Sequence, residues 1–302
     1  MKNAPAASAP VSLIGRASGS FADYVELTKP RLNLLVVATS AAGYYLGGSG
    51  APRWMPMAQA VAGTALVAGG AAVLNQVYER DTDALMRRTR LRPLPDGRVG
   101  ASEARAFGLV LIAAGLGLLA VGANALAALL AAVTVVTYVI VYTPMKRRSS
   151  ASTLVGAIPG ALPPLIGWAA ARGNVSIGGW TLFAIVFLWQ IPHFMAIAWL
   201  YREDYGKAGF PMLPVVEPDG RRTGRQALVY AVCLVPVSLV PAFVGVSGLI
   251  YFWTALVLGV ALAALAARFA LTRTAPAARA LFFGSIAYLP LIWAAMILNK
   301  AQ

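Results

Sequence analysis

The sequence is poor in the residues that staple or metallate a small fold: it contains one cysteine, one histidine and eleven acidic residues. A lone Cys233 inside an apolar run allows no intramolecular disulfide and no thiolate metal cluster, which excludes both a redox staple and a zinc ribbon. Charge of either sign is scarce, 12% against 59% hydrophobic residues, and the mean hydropathy is +0.70. Those values lie far from an ordinary soluble domain, so the expected solvent of the fold is a lipid bilayer. The Ala/Ser/Pro-rich opening also lacks a basic end followed by a compact apolar core, and so does not resemble a cleaved signal peptide.

What is present is a series of apolar runs with almost no charge, near 32–49, 57–78, 106–122, 124–143, 153–171, 177–201, 227–246, 248–267 and 280–299. A spanning helix needs roughly 20 apolar residues, so the chain is expected to be all-α and polytopic, a nine-transmembrane-helix bundle. Two divisions are thin, at Gly122 to Asn124 and at Gly245 to Gly248, and read as tight turns. The expected organisation is a flexible N-terminal tail over 1–27 and a single domain over 28–302.

Charge placement tests that topology. Under nine alternating helices, 25 basic residues divide so that only Arg53, Arg172 and Lys300 fall on one side. All eleven acidic residues fall on the other, more basic side. By the positive-inside rule the N-terminus is cytoplasmic and the C-terminus lies on the opposite side. The net charge of +14 then reflects topology and does not argue for nucleic acid.

The densest polar signal runs from Asn75-Gln-Val-Tyr-Glu79-Arg-Asp81-Thr-Asp83 into an arginine-rich stretch, Arg87 to Arg98. At about 100° per residue, Asn75, Glu79 and Asp83 drift only about 80° and form a ladder about 12 Å long on one helix face. Asp81 points elsewhere. Oxygen-only ligands suit Mg²⁺, which is commonly held by one or two carboxylates together with substrate phosphates. Arginine forks suit the phosphates themselves. The plainer alternative is a solvated helix end, but charge next to an unbroken apolar run is costly to place.

A second patch closes the sixth run: Trp189-Gln-Ile-Pro-His193-Phe194, then Tyr201-Arg-Glu203-Asp204-Tyr-Gly-Lys207. His193 and Asp204 are eleven residues apart, about three turns, which places both on one face if the helix continues. His193 is either a functional group within the membrane or a donor to a carbonyl freed by Pro192. In the fifth run Gly156, Pro159, Gly160, Pro163, Pro164 and Gly167 suit either tight helix crossing or a substrate chamber. Trp54, Trp180 and Tyr251 read as interfacial anchors.

The runs Asn75 to Pro95, Tyr142-Thr-Pro-Met-Lys146-Arg147-Arg148, Pro163 to Trp168 and Trp189 to Pro214 resemble those of protoheme IX farnesyltransferases, or heme O synthases. These belong to the UbiA-type superfamily of intramembrane prenyltransferases, and the resemblance extends from Thr28 onward. It implies a nine-helix bundle whose central cavity opens to the cytoplasmic side of the bacterial inner membrane. It implies transfer of farnesyl from farnesyl diphosphate to a vinyl group of heme b, with heme A synthase or oxidase assembly proteins as partners.

The family's first acidic motif matches Asn75, Glu79 and Asp83, its Arg-Thr-x-x-Arg-Pro-Leu segment matches Arg88 and Arg92, and its histidine matches His193. This chain departs from many relatives in having Glu79 for Asp, Ser152 for Asn, and an adjacent Glu203 and Asp204 for a spaced pair. The resemblance implies Mg²⁺ on Asn75, Glu79, Asp83 and Asp204. Lys146, Arg147 and Arg88 would stabilise the diphosphate leaving group, Glu203 and Lys207 would also contact substrate, His193 would lie near the heme iron or vinyl, and Arg92 would be available to a propionate. Two rivals stay open: a sister prenyltransferase acting on an aromatic quinone precursor, and a heme or cation transporter. One-sided charge argues against transport.

Overall fold

Lipid offers the backbone no hydrogen-bond partners, so a chain this apolar satisfies its N–H and C=O groups inside helices. The computed structural model describes residues 19–51 and 53–301. Its elements are α1 (Phe21–Leu27), α2 (Pro30–Gly47), α3 (Trp54–Asp83), α4 (Ala101–Gly122) and α5 (Ala125–Val135). A π-helical stretch, Val136–Tyr142, carries α5 directly into α6 (Thr143–Met145). Then come α7 (Ser152–Arg172), α8 (Ile177–Leu200), α9 (Arg202–Lys207), α10 (Leu213–Val216), α11 (Arg221–Phe243), α12 (Leu249–Thr272) and α13 (Ala275–Leu298). The only β-contact among the described residues is an isolated bridge between Ser247 and Lys300.

Each of the nine apolar runs falls on one long rod. Eight of these, all but α2, are long and apolar enough to cross a membrane. The ninth, α2, has 18 residues and is diluted by Arg31, Asn33, Thr39 and Ser40. Residues 1–18 of the expected tail lie outside the described residues. The end of that tail differs from expectation, because Phe21–Leu27 is a helix with a reciprocal cap between Ser20 and Asp23, and Asp23 is paired with Arg98.

The bundle has two distinct ends. At one, short turns join α2 to α3, α4 to α5, α7 to α8 and α11 to α12. Here Arg172 and Lys300 hydrogen-bond the last carbonyls of α2, the Lys300 ammonium reaching Tyr45 O at 2.7 Å and Gly48 O at 2.6 Å. Cations at a helix C-terminus meet its negative pole, which gives two of the three basic residues on this side a structural task. The other end carries the long connections 84–100 and 201–220 and all the acidic residues of the described chain.

The length of α3 explains where the polar ladder lies. At about 1.5 Å per residue its 30 residues extend about 45 Å, against about 30 Å of hydrocarbon. A helix that enters at the exposed Trp54 completes about 20 residues near Val73, just before Asn75. The ladder therefore occupies the turns that emerge at the mouth.

With little hydrophobic drive between helices in lipid, close packing holds the bundle, and small residues permit it. Gly63 and Gly70 of α3 meet Gly115 and Gly108 of the antiparallel α4. The most enclosed rod is α7, 67% buried in its apolar window, and it runs parallel to α2. A Cβ at Gly167 would lie 1.9 Å from the Ser40 carbonyl oxygen, and one at Gly160 would lie 2.1 Å from Gln190 Oε1. Tight crossing accounts for these two glycines. Gly167→Val is expected to eliminate the monodisperse peak of detergent-solubilised protein on size-exclusion chromatography, because the clash is with backbone and has no side chain to give way.

Of the three aromatic anchors expected from sequence, Trp54 and Trp180 are exposed at helix starts. Tyr251 is not an anchor: it is fully buried and its hydroxyl donates to Ser238 O at 2.6 Å. In the first turn of α12 Leu249, Ile250 and Trp253 face outward while Tyr251 turns into the core.

Candidate active site

The ladder on α3 forms as its spacing predicts, and it is deeper than a solvated helix end. Asn75, Glu79 and Asp83 are 2%, 2% and 1% exposed, whereas Asp81 points outward and is paired with Arg80. Each rung has its own cation. Lys29 Nζ donates to Asn75 Oδ1 at 3.0 Å, Lys146 Nζ to Glu79 Oε2 at 3.1 Å, and Arg92 Nη1 to Asp83 Oδ2 at 2.7 Å. The second Glu79 oxygen, Oε1, lies 3.0 Å from Lys146 Nζ but off line, and has no hydrogen-bond partner. A buried carboxylate oxygen left this way is suited to a further ligand.

The supporting contacts come from distant parts of the chain. Thr143, fully buried at the end of the π-helical stretch, donates to Tyr138 O at 2.8 Å and accepts from Asn75 Nδ2 at 3.1 Å. This turns Asn75 Oδ1 toward the cations. Thr89 donates to Asp83 O at 2.7 Å and folds the arginine loop back under the helix end. Gln76 donates to Leu27 O at 2.6 Å and ties α1 to α3.

Lys29 is held by an unusual backbone. It caps α2 with φ 52° and ψ 61°, a left-handed conformation costly for a residue with a Cβ, and Pro30 then starts the helix. Burial, reinforced by repulsion from Arg92, lowers its pKa to about 8, partly opposed by Glu79. Lys146 behaves differently. Burial works against its charge, but Tyr142, Glu79, Tyr205 and the hydrogen bond to Glu79 outweigh it and hold the ammonium above the usual lysine range.

Not all the expected residues join this network. Arg92 does, through Asp83, and so is engaged at the ladder rather than free for a propionate. Arg88 is exposed on its loop, its guanidinium 5.5 Å from the Tyr201 ring and 5.7 Å from the Tyr205 ring. It helps join the two long connections, which share a small apolar core including Met86, Tyr205, Phe210 and Met212. The Phe210 ring lies 4.8 Å from Lys146 Nζ. Arg147, Glu203 and Lys207 are exposed.

Asp204 departs from its expected place. The helix carrying His193 ends at Leu200, Tyr201 breaks it with φ −111° and ψ 20°, and Asp204 belongs to the separate α9. A face shared with His193 needs a continuous helix, so that relation does not hold. Among the described residues no three His, Cys, Asp or Glu side chains converge as a metal site. Asn75, Glu79 and Asp83 offer a divalent ion stacked oxygens, among them Glu79 Oε1, which accepts no hydrogen bond although Lys146 Nζ lies 3.0 Å away.

His193 lies on the part of α8 that faces α13. Its ring stacks on Trp189 at 5.0 Å and on Phe282 at 5.2 Å, and its Nδ1 is 2.8 Å from Ser285 Oγ. The expected contact to a carbonyl freed by Pro192 does not form. Sequence reading missed Lys29, Thr143 and Ser285. Lys29 immediately precedes Pro30, which begins α2, a detectable signal, whereas Thr143 sits inside a continuous rod and it and Ser285 have none.

The UbiA prenyltransferase family model matches residues 36–289. The chain is 49% identical over 287 residues to a protein named protoheme IX farnesyltransferase from Solibacter usitatus, covering 92% of this chain and 98% of that one. It is 43% identical to the one so named from Myxococcus xanthus, with 92% and 94% covered. Among solved structures, a UbiA homologue from Archaeoglobus fulgidus bound to GPP and Mg²⁺ superposes with a TM-score of 0.64 at 18% identity, over 91% of this chain and 99% of that one. A UbiA homologue from Aeropyrum pernix superposes with a TM-score of 0.68 at 20% identity, over 88% and 97%.

Proposed function

The chain belongs to the UbiA prenyltransferase family, and from that premise we propose how it carries out farnesyl transfer from farnesyl diphosphate to a vinyl group of heme b, forming heme O. The observation that carries the site is the buried ladder with one cation on each rung. Two carboxylates face three cations there, an excess of positive charge suited to a diphosphate.

Asn75, Glu79 and Asp83 would hold Mg²⁺, which when bound supplies the positive charge that pairs with diphosphate oxygens. Lys146, Lys29 and Arg92 already stand at those rungs and turn toward the diphosphate as the allylic C–O bond breaks and its electron pair leaves with the phosphate. The farnesyl chain lies among the apolar helices, where water cannot quench the allylic cation. Farnesyl C1 then bonds to the terminal vinyl carbon, and the cation left beside the porphyrin takes the oxygen of water and releases a proton. The asymmetry of basic residues supports a cytoplasmic ladder end in a bacterial inner membrane.

Purified protein given heme b, farnesyl diphosphate and Mg²⁺ is expected to yield a more hydrophobic heme on reversed-phase chromatography. A chelator should stop the reaction and excess Mg²⁺ restore it. An intact preparation that forms no new heme overturns the proposal, and so does turnover untouched by chelation for its metal part.

A further inference from the structure

The charges of the ladder do not balance. Two almost fully buried carboxylates, Glu79 and Asp83, stand against Lys29, Lys146 and Arg92, which leaves one positive charge in excess. The five groups form one electrostatic unit: besides burial, Arg92, Glu79, Lys146 and Asp83 all act on the pKa of Lys29. The cations also occupy the ladder oxygens, Lys29 on Asn75 Oδ1 at 3.0 Å, Lys146 on Glu79 Oε2 at 3.1 Å and Arg92 on Asp83 Oδ2 at 2.7 Å.

A bare divalent ion would have to displace these groups and would raise the local charge from one positive unit to about three, where burial leaves little water to screen it. A prenyl diphosphate carries about three negative charges at neutral pH, because its terminal phosphate is nearly doubly ionised. Alone it would overshoot to about two negative units, and with one divalent ion it brings the site to neutrality. Its oxygens also give the two lysines and the arginine new partners, which frees the ladder oxygens for the metal.

We propose that Lys29, Lys146 and Arg92 act as a counter-ion lock on the ladder: the site refuses free divalent metal and admits a single ion only together with a prenyl diphosphate, which draws the three cations away. The inference rests on the ladder as the diphosphate site. It accounts for the left-handed backbone of Lys29, a cost that capping a helix does not require. It also fits the lack of a second acidic set: Asp204 lies on the separate α9, and among the described residues it pairs with none of the three cations. The protein's own positive charges serve in place of a second metal ion.

Full-length protein in phosphatidylcholine nanodiscs is dialysed to equilibrium against Mn²⁺, with and without unreactive farnesyl thiodiphosphate. Empty nanodiscs correct for metal held by the analogue in lipid. The wild type should take up one Mn²⁺ per chain with the analogue and bind it about 100-fold more weakly without, a strong coupling between two ligands. Lys29→Met and Lys146→Met each remove one charge of the lock. Either should tighten Mn²⁺ binding in the absence of the analogue by about 10-fold, a gain that misfolding does not produce. Arg147→Met, at an exposed position, should leave the dependence on the analogue as it is. Equal Mn²⁺ affinity with and without the analogue, two ions per chain at saturation, or no gain in either lysine variant overturns the lock while leaving the ladder as the site. Absence of Mn²⁺ uptake by the wild type with the analogue, or uptake unaltered in Asp83→Asn, would instead sink the ladder as the metal and diphosphate site, and the lock with it.

Discussion

Asp83→Ala is expected to lower kcat for heme prenylation by about 10³-fold or more, since it removes a buried carboxylate at the point where charge must be balanced during ionisation. The same change leaves Arg92 without its partner at 2.7 Å. Arg92 is 26% exposed in its side chain and can turn to water, so the protein should still insert and run as a single species. Asp83→Asn separates charge from shape: it keeps an oxygen for Arg92 and removes the negative charge. If Asn retains most of the activity, the ladder acts through hydrogen bonding alone and its metal role is lost. Full activity in both variants would remove Asp83 from the mechanism. The comparison is made by initial rates of heme O formation, with circular dichroism and size-exclusion profiles as the check on folding.

Lys146→Met should cost about 10²–10³ in kcat, the usual effect of removing one preorganised group from a developing negative charge. The methionine keeps most of the side-chain volume beside Phe210 and Glu79, so packing loss is a poor explanation for a large effect. Lys146 is half-buried and paired with Glu79, while Arg147 next to it is exposed. Arg147→Met is therefore expected to stay within about twofold of wild type, as surface substitutions usually do. Equal losses from the two variants would mean that bulk positive potential at the mouth matters and the ladder contact does not. Steady-state rates across farnesyl diphosphate concentrations distinguish a fall in kcat from a rise in KM.

These two results bear on how the ladder is read. In sequence it is three oxygen-bearing residues at steps of four, and that geometry survives intact because α3 continues unbroken to Asp83. The cations were visible too, as an arginine-rich loop and a Lys-Arg-Arg segment. Which of them reach the carboxylates was not visible. Arg92 and Lys146 do so, Arg147 does not, and Lys29 arrives from the start of α2 through a left-handed residue that no charge count identifies. Asp204 is the opposite case: projecting a helix beyond Leu200 put it beside His193, and the break at Tyr201 removed it.

Composition and periodicity alone determined that this protein is a membrane-embedded helical chain with its titratable groups gathered at one end, because transfer from water to lipid is governed by local apolar run length and by where charges interrupt it. Spacing determined the ladder, because rise and twist per residue are constants of the α-helix. Tertiary structure decided the partners: the cation on each rung, the threonine that orients Asn75, and the serine that orients His193. Those contacts join residues tens of positions apart, and they depend on which helices cross and how closely. That in turn is settled by packing at sites such as Gly43 and Gly167, where a missing side chain lets two backbones touch.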